Sequence, residues 1–178
     1  MIGKYFLDNC MQSKTLTDPW SHQIIKDTLP KEEFAILKNE CEKLNVPKDK
    51  LIHIHPKDFN EYGISFYEQI HSISKSVLDN AKALCNKYPK HRWFEDLAVH
   101  AHISVTPPLP YKFHIHQEGL EKIWSSVTYI TPEKNIGTKM YTKESEDSFN
   151  KDAEWKPNST FIFCGQQGIT WHSYESDT

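Results

Sequence analysis

The spacing of the apolar residues changes near Trp93, and this change constrains the fold more than any other feature. Before it, apolar residues recur every three or four positions over 31–45 and 65–88, a spacing typical of helices with one apolar face. After it, apolar and polar residues alternate, which indicates half-buried strands. These strands are predicted at 97–106, 111–118, 123–131, 137–143, 158–165 and 169–175. Helices first and antiparallel strands afterwards predict an α+β fold.

Three further segments complete the predicted organisation. Residues 18–30 are interpreted as an entry strand, 51–55 as a short extended segment, and the charged stretch 144–156 as a loop between strands. A chain of 178 residues is long enough for one domain with a proper core. We expect residues 1–92 to form a helical supporting part and residues 93–178 to form the β core.

Composition excludes some classes of function and leaves others open. The net charge of −3 gives no electrostatic reason to expect nucleic acid or an anionic membrane as a partner. No apolar run reaches membrane-spanning length, and the N-terminus lacks the apolar core of a signal peptide. We therefore expect a soluble, cytoplasmic protein, and an oligomer remains compatible with the sequence.

The cysteines are scattered, and no two of them form a Cys-x-x-Cys pair. Widely spaced cysteines within helical and strand patterns usually serve as small core residues, so reduced structural thiols are predicted. They are Cys10, Cys41, Cys85 and Cys164.

A His-x-Glu pair and a distant histidine form the most chemically informative pattern. His116 and Glu118 lie two apart in a predicted strand, so their side chains should emerge on one face. A later strand would bring His172 beside them. Two imidazoles and one carboxylate that leave positions open on the metal are the ligands of non-haem Fe(II) oxygenases. With ten His and 24 acidic residues in the chain, composition alone favours ordinary histidines.

The order of the surrounding motifs strengthens the metal interpretation. His116-Gln117-Glu118 is followed by Tyr129-Ile130-Thr131-Pro132, Gly137-Thr138, Pro157-Asn158 before Phe163, and Trp171-His172. This order resembles the 2-oxoglutarate/Fe(II)-dependent oxygenase superfamily, especially its small prolyl-hydroxylase-like members. The segment 20–34 also resembles the opening strand and first helix of that family.

The resemblance implies a fold, a cofactor and a reaction. The fold would be a double-stranded β-helix (a jelly-roll, cupin-like barrel) with N-terminal helices packed on one sheet. His116, Glu118 and His172 would hold Fe(II), and 2-oxoglutarate would be the co-substrate. The reaction would use dioxygen to convert 2-oxoglutarate to succinate and carbon dioxide and to hydroxylate an unactivated C–H bond. The substrate is not specified, and a peptide, a nucleobase or a small metabolite is compatible.

Other residues are candidates for the pocket. Lys122 follows His116 by six residues, where family members often carry Lys, and it could pair with a carboxylate of the co-substrate. Tyr111 and Tyr129 are candidates for co-substrate binding. Strand alternation alone does not show which of the strand residues face inward. Further pocket candidates are His114, Ser126, Thr128 and Trp171.

The sequence departs from the family after the distal histidine. Family members generally place an Arg or Lys several residues beyond it to bind the far carboxylate of 2-oxoglutarate, and no basic residue follows His172 here. A buried dianion without a cationic partner is very costly. Three explanations stay open: a longer parent chain continues beyond Thr178, Lys122 or Lys139 substitutes, or the metal acts without 2-oxoglutarate.

Two alternatives to an oxygenase also stay open. One is a cupin-like metalloprotein, although the glycines that cupins place after the glutamate are missing. The other is a barrel that binds without turnover. The cupin ligands would be His114, His116, Glu121 and His172. Two further pairs, His53 with His55 and His100 with His102, lack a carboxylate in the family's order and are interpreted as exposed strand residues. Asn158 is expected to serve the turn into its strand.

Overall fold

The computed structural model describes residues 2–47, 49–87, 96–107 and 110–177. The expected boundary between the two halves, at 92 and 93, lies outside these ranges. The helices are α1 (Ile2–Gln12), α2 (Lys31–Glu42) and α3 (Tyr67–Lys87), with 3-10 helices at Pro56–Tyr62 and Glu146–Ser148. The strands are β1 (His22–Ile25), β2 (Ile52–Ile54), β3 (Ile103–Val105), β4 (Tyr111–His116), β5 (Ser125–Tyr129), β6 (Gly137–Tyr141), β7 (Phe149–Asp152), β8 (Ser159–Phe163) and β9 (Trp171–Ser176).

The strands form a three-stranded sheet, a four-stranded sheet and a two-stranded ribbon. Their orders are β1-β8-β5, β4-β9-β6-β7 and β2-β3. Each pairing is antiparallel. From β4 onward the pairs are nested, because β6 pairs with β7, β5 with β8, and β4 with β9. The predicted α+β class with antiparallel strands is confirmed.

An aromatic core joins the two larger sheets. Met140 of β6 and Phe161 of β8 are both fully buried in one cluster, so one face of each sheet covers the other. The Trp20 indole belongs to the same cluster and donates a hydrogen bond to the Tyr141 carbonyl at 3.2 Å. Within the described ranges, neither sheet closes into a barrel.

Two helices cover the other face of the three-stranded sheet. Phe6 of α1 packs against Ile25 and Ile162, with Ile73 and Val77 of α3 beside them. The expected packing of the 65–88 helix on the outer face of a sheet is therefore observed over its described part. A second apolar cluster lies between α2, the first 3-10 helix and the β2–β3 ribbon, and it includes Leu37, Phe59 and Ile103.

Several elements differ from the sequence prediction. The predicted loop 144–156 is wrong, because it contains β7, which pairs with β6. Three of the four residues in β7 are exposed, so this edge strand shows no apolar alternation to detect. The predicted strands at 18–30 and 97–106 reduce to β1 and β3. Helix α1 was not assigned from the sequence.

The described residues bear on two further expectations, the reduced state of the cysteines and the lack of a membrane-spanning helix. Cys10, Cys41 and Cys164 are free thiols, and the Cys85 side chain lies outside what the structure describes. Burial raises the pKa of Cys10 to about 11 and that of Cys41 to about 12, so both remain protonated at neutral pH. Among the described helices, none is both long enough and apolar enough to cross a membrane.

Candidate metal centre

The structure brings the three predicted metal ligands together. His116 ends β4 and lies opposite His172 on β9, with 4.2 Å between the ring centroids. Glu118 follows in the turn, and its Oε1 lies 3.9 Å from His172 Nε2. The prediction that strand alternation aligns Glu118 with His116 is wrong, since β4 ends at His116 after a register shift. The turn after β4 places the carboxylate instead.

Backbone carbonyls orient both imidazoles. His172 Nδ1 lies 3.0 Å from the Thr170 carbonyl, and His116 Nδ1 lies 2.9 Å from the His114 carbonyl. A carbonyl only accepts hydrogen bonds, so each Nδ1 must donate, and in a neutral ring Nε2 keeps its lone pair. This is the usual arrangement of metal-bound histidines, because the carbonyl fixes both the tautomer and the orientation of the ring.

Burial keeps His172 neutral. Its side chain is almost fully enclosed, with Phe163 at 4.8 Å between ring centroids. Burial lowers the pKa of His172 to about 4, and the nearby His116 acts in the same direction. The Nε2 lone pair of His172 is therefore available at neutral pH.

Glu118 is ionised and already paired. Burial alone raises the pKa of Glu118, but hydrogen bonds from Lys122 and Ser125 outweigh burial and hold it below its ordinary value. Lys122 Nζ lies 2.6 Å from Oε2. The other oxygen, Oε1, faces the Nε2 lone pair of His172. Two acceptors that face each other leave a place for a cation.

The chemistry of the donor atoms suits a metal ion, but their present positions do not surround one. Two Nε2 lone pairs and one carboxylate are suitable ligands for iron or another divalent transition metal. Within 2–47, 49–87, 96–107 and 110–177, however, no three His, Cys, Asp or Glu side chains already stand in an arrangement that could hold a metal ion. Binding would require the three side chains to adjust their positions around the ion.

Of the two lysines considered as anchors for the co-substrate, Lys139 lies on the wrong face. On β6 it is next to Met140, which is buried between the sheets and lies opposite His172. Alternation along the strand therefore points Lys139 to the outer face, where it pairs with Asp152 at 3.4 Å and Glu175 at 3.5 Å. This position argues against Lys139 as the replacement for the missing anchor.

The two tyrosine candidates differ in their surroundings. Tyr129 is buried in the core, stacks on Trp155 at 4.5 Å, and its hydroxyl donates to Thr138 Oγ1 at 2.9 Å. Burial raises its pKa to about 12. Tyr129 therefore serves the core rather than an open pocket. Tyr111 is half-buried and lies opposite Ser176, on the same face of the sheet as the register pair Phe113 and Tyr174.

Three of the remaining pocket candidates, Ser126, Thr128 and Trp171, face away from the centre, whereas His114 lies beside it. Ser126 and Thr128 lie opposite Ile162 and Thr160, on the face of the three-stranded sheet that the helices cover. Trp171 precedes His172 on β9, so its side chain points to the other face. His114 is exposed and stacks on Phe113, its ring lies 5.4 Å from the His116 ring between centroids, and its carbonyl accepts the hydrogen bond from His116 Nδ1.

The glutamate of the cupin-like alternative is not part of this group. Glu121 is exposed, and its carboxylate lies against Gly119 in the turn. Glu118 contacts both His172 and Lys122 instead. The arrangement favours Glu118 as the carboxylate ligand.

Sequence reasoning missed a polar group beyond His172 on the inner face. Tyr174 follows His172 by two residues, so both side chains lie on one face of β9. The Asn135 amide donates to the Tyr174 hydroxyl at 3.3 Å and to Ser176 Oγ at 3.1 Å. Ser125, which bonds to Glu118, was also missed. The alternation of His172, Tyr174 and Ser176 was the available signal for the first group.

No protein-family model matches the chain, and no curated protein is similar enough to count as its relative. A functional assignment therefore depends on the chain's own residues and their geometry.

Proposed function

We propose that the protein is an Fe(II)-dependent oxygenase that uses 2-oxoglutarate, with His116, Glu118 and His172 as the metal ligands. One observation carries this proposal: two histidines with carbonyl-bonded Nδ1 atoms lie beside an ionised carboxylate where two antiparallel strands meet. Two nitrogens and one carboxylate on one side of a metal leave the opposite positions open, and non-haem Fe(II) oxygenases use this ligand set.

The nesting of the strand pairs supports a jelly-roll, or double-stranded β-helix. The segment from β4 to β9 behaves as one long antiparallel ribbon, and successive pairs of the ribbon alternate between the two sheets. Such alternation between two packed sheets is how jelly rolls are built. The ligands then come from the end of β4, the following turn and the start of the partner strand β9.

The chain's residues perform three tasks in this proposal. The carbonyls of His114 and Thr170 hold the two imidazoles in their metal-binding tautomers. Ser125 and Lys122 keep Glu118 ionised before metal arrives. Fe(II) and 2-oxoglutarate, when bound, would supply with dioxygen the oxidative decarboxylation that drives hydroxylation of a C–H bond.

Lys122 can contact both Glu118 and the co-substrate in this scheme. Glu118 would bind the metal through Oε1 while Oε2 keeps its hydrogen bond to Lys122, and the ammonium has further N–H donors for a carboxylate of the co-substrate. The far carboxylate would then meet the neutral donors Tyr174 and Asn135. These neutral donors leave the negative charge of that carboxylate uncompensated, and a charge without a cationic partner is costly in an enclosed site. We therefore expect weak binding of 2-oxoglutarate.

The test is equilibrium binding of 2-oxoglutarate to the Fe(II)-loaded protein without oxygen, followed by succinate formation in air. Lys122→Met should weaken binding by about tenfold, which corresponds to about 1.4 kcal/mol. Lys139→Met is the matched control, because this lysine lies on the outer face. Equal effects of the two substitutions, or no Fe(II)-dependent binding at all, would reject the proposal.

A further inference from the structure

Three histidines outside the candidate metal centre cluster on the β2–β3 ribbon. Ile54 and Ile103 lie opposite each other and are both buried, so alternation turns their neighbours outward. On the outward face, the His53 and His102 rings lie 4.6 Å apart, and the His55 and His102 rings lie 5.7 Å apart, between centroids. The ribbon thus combines residues of two His-x-His motifs that are far apart in the sequence.

These distances are short enough for the three imidazoles to reach one metal ion once the rings rotate. Zn²⁺ binds histidine nitrogens at about 2.0–2.1 Å in a tetrahedron, which places neighbouring ring centroids roughly 5 Å apart. The two measured separations lie on either side of that value. His53 on β2, His55 directly after β2 and His102 directly before β3 are also sufficient to fill three corners of a tetrahedron and leave the fourth to water.

The surroundings suit neutral imidazole ligands. His53 Nδ1 lies 3.0 Å from Ser104 Oγ, a contact that can orient the ring while Nε2 remains available. Partial desolvation, and then the neighbouring imidazoles, lower the pKa of His53 and of His102, and the Lys122 ammonium acts in the same direction on His102. All three side chains are exposed, so the rings can rotate about their side-chain torsions.

We propose that His53, His55 and His102 form a second metal site, separate from the candidate oxygenase centre, for a divalent ion such as Zn²⁺. Imidazole is a suitable ligand for zinc, copper, iron and nickel, and a site without thiolate or carboxylate favours this group over Mg²⁺ or Ca²⁺. The rings have to rotate to converge, since no three such side chains in the described part of the chain are already arranged around a metal position. A bound ion links β2 to β3 across the ribbon.

The experiment is a Zn²⁺ titration by calorimetry in the His116→Ala/His172→Ala double variant, which removes the first site. We expect one Zn²⁺ per chain in this background. Adding His102→Gln should weaken binding by more than about tenfold, because even the loss of an outer partner of a metal ligand has that effect. His71→Gln, a change at another exposed histidine on α3, should leave binding unaltered.

A second measurement keeps the proposal testable if the double variant does not fold. In the otherwise native chain, His102→Gln and His53→Gln should each lower the number of Zn²⁺ ions bound by one, and each should reduce the rise in Tm that Zn²⁺ produces. Unchanged stoichiometry in both variants, or a loss equal to that caused by His71→Gln, would overturn the proposal.

Discussion

Acidification of the metal-free protein should destabilise it through His172. The pKa of His172 lies near 4 in the folded chain, against its ordinary value of 6.5. Below pH 6.5 the unfolded chain takes up a proton that the folded chain refuses, so stability is complete above that pH and falls as the pH decreases toward 4. Between pH 7 and pH 5, the loss from this one group is about 2 kcal/mol.

Urea unfolding of EDTA-treated protein at these two pH values measures the effect. His22, His53 and His102 also have lowered pKa values and contribute in the same direction. The quantity to compare is therefore the pH dependence of the wild type against that of His172→Gln, which has no titrating group at this position. His71→Gln is the control. If His172→Gln loses as much stability on acidification as the wild type, burial does not hold His172 neutral and the reasoning is wrong.

Three further outcomes test separate parts of the structure. Asn158→Ala should lower the free energy of unfolding in urea by about 3 kcal/mol, because the Asn158 side chain makes two 2.9 Å hydrogen bonds with the Leu29 backbone and its own φ is 63°. Asn158→Gly should lose less stability, since glycine tolerates this φ. Equal losses in the two variants would contradict the contribution of backbone strain. Gly3→Ala should lower the Tm, since a β-carbon there collides with the Ser72 carbonyl where α1 meets α3; an unchanged Tm would mean that the helices are not so close. Ser125→Ala should weaken Fe(II) binding about tenfold through its hydrogen bond to Glu118; unaltered affinity would remove Ser125 from the site.

The sequence predicted the elements whose apolar periodicity is strong. Helix α3 was predicted at 65–88 and occurs at Tyr67–Lys87, and β8 was predicted at 158–165 and occurs at Ser159–Phe163. Both bury an apolar face against a neighbouring layer, which leaves a clear pattern in the sequence. β7 buries almost nothing, so its hydrogen bonds to β6 left no such pattern.

The candidate site was predictable as a set of residues but not as a geometry. Motif order identified His116, Glu118 and His172, and the structure brings them together. The alternation of side chains along one strand could not predict the register shift in β4. Because of that shift, the turn after β4 positions Glu118. Nor could the alternation show that Lys139 faces outward, because the inner face of β6 is defined by its neighbour Met140 in a core formed with another sheet.

The family resemblance leads to expectations about the fold, the co-substrate and the cellular compartment. The double-stranded β-helix, the 2-oxoglutarate dependence and the cytoplasmic location stay predictions. The described residues do establish which histidine nitrogens can bind a metal, because hydrogen bonds fix the rings, and they establish that His172 is neutral, because it is buried.

Anaerobic equilibrium dialysis counts the Fe(II) ions that we propose His116, Glu118 and His172 to hold. A His53→Gln/His102→Gln background removes the proposed ribbon site, so that only the first centre is counted. We expect one Fe(II) per chain, lost in His116→Ala and in His172→Ala, and retained in His114→Ala and Glu121→Gln. Retention of the ion in either His116→Ala or His172→Ala, or its loss in Glu121→Gln, would contradict the ligand set.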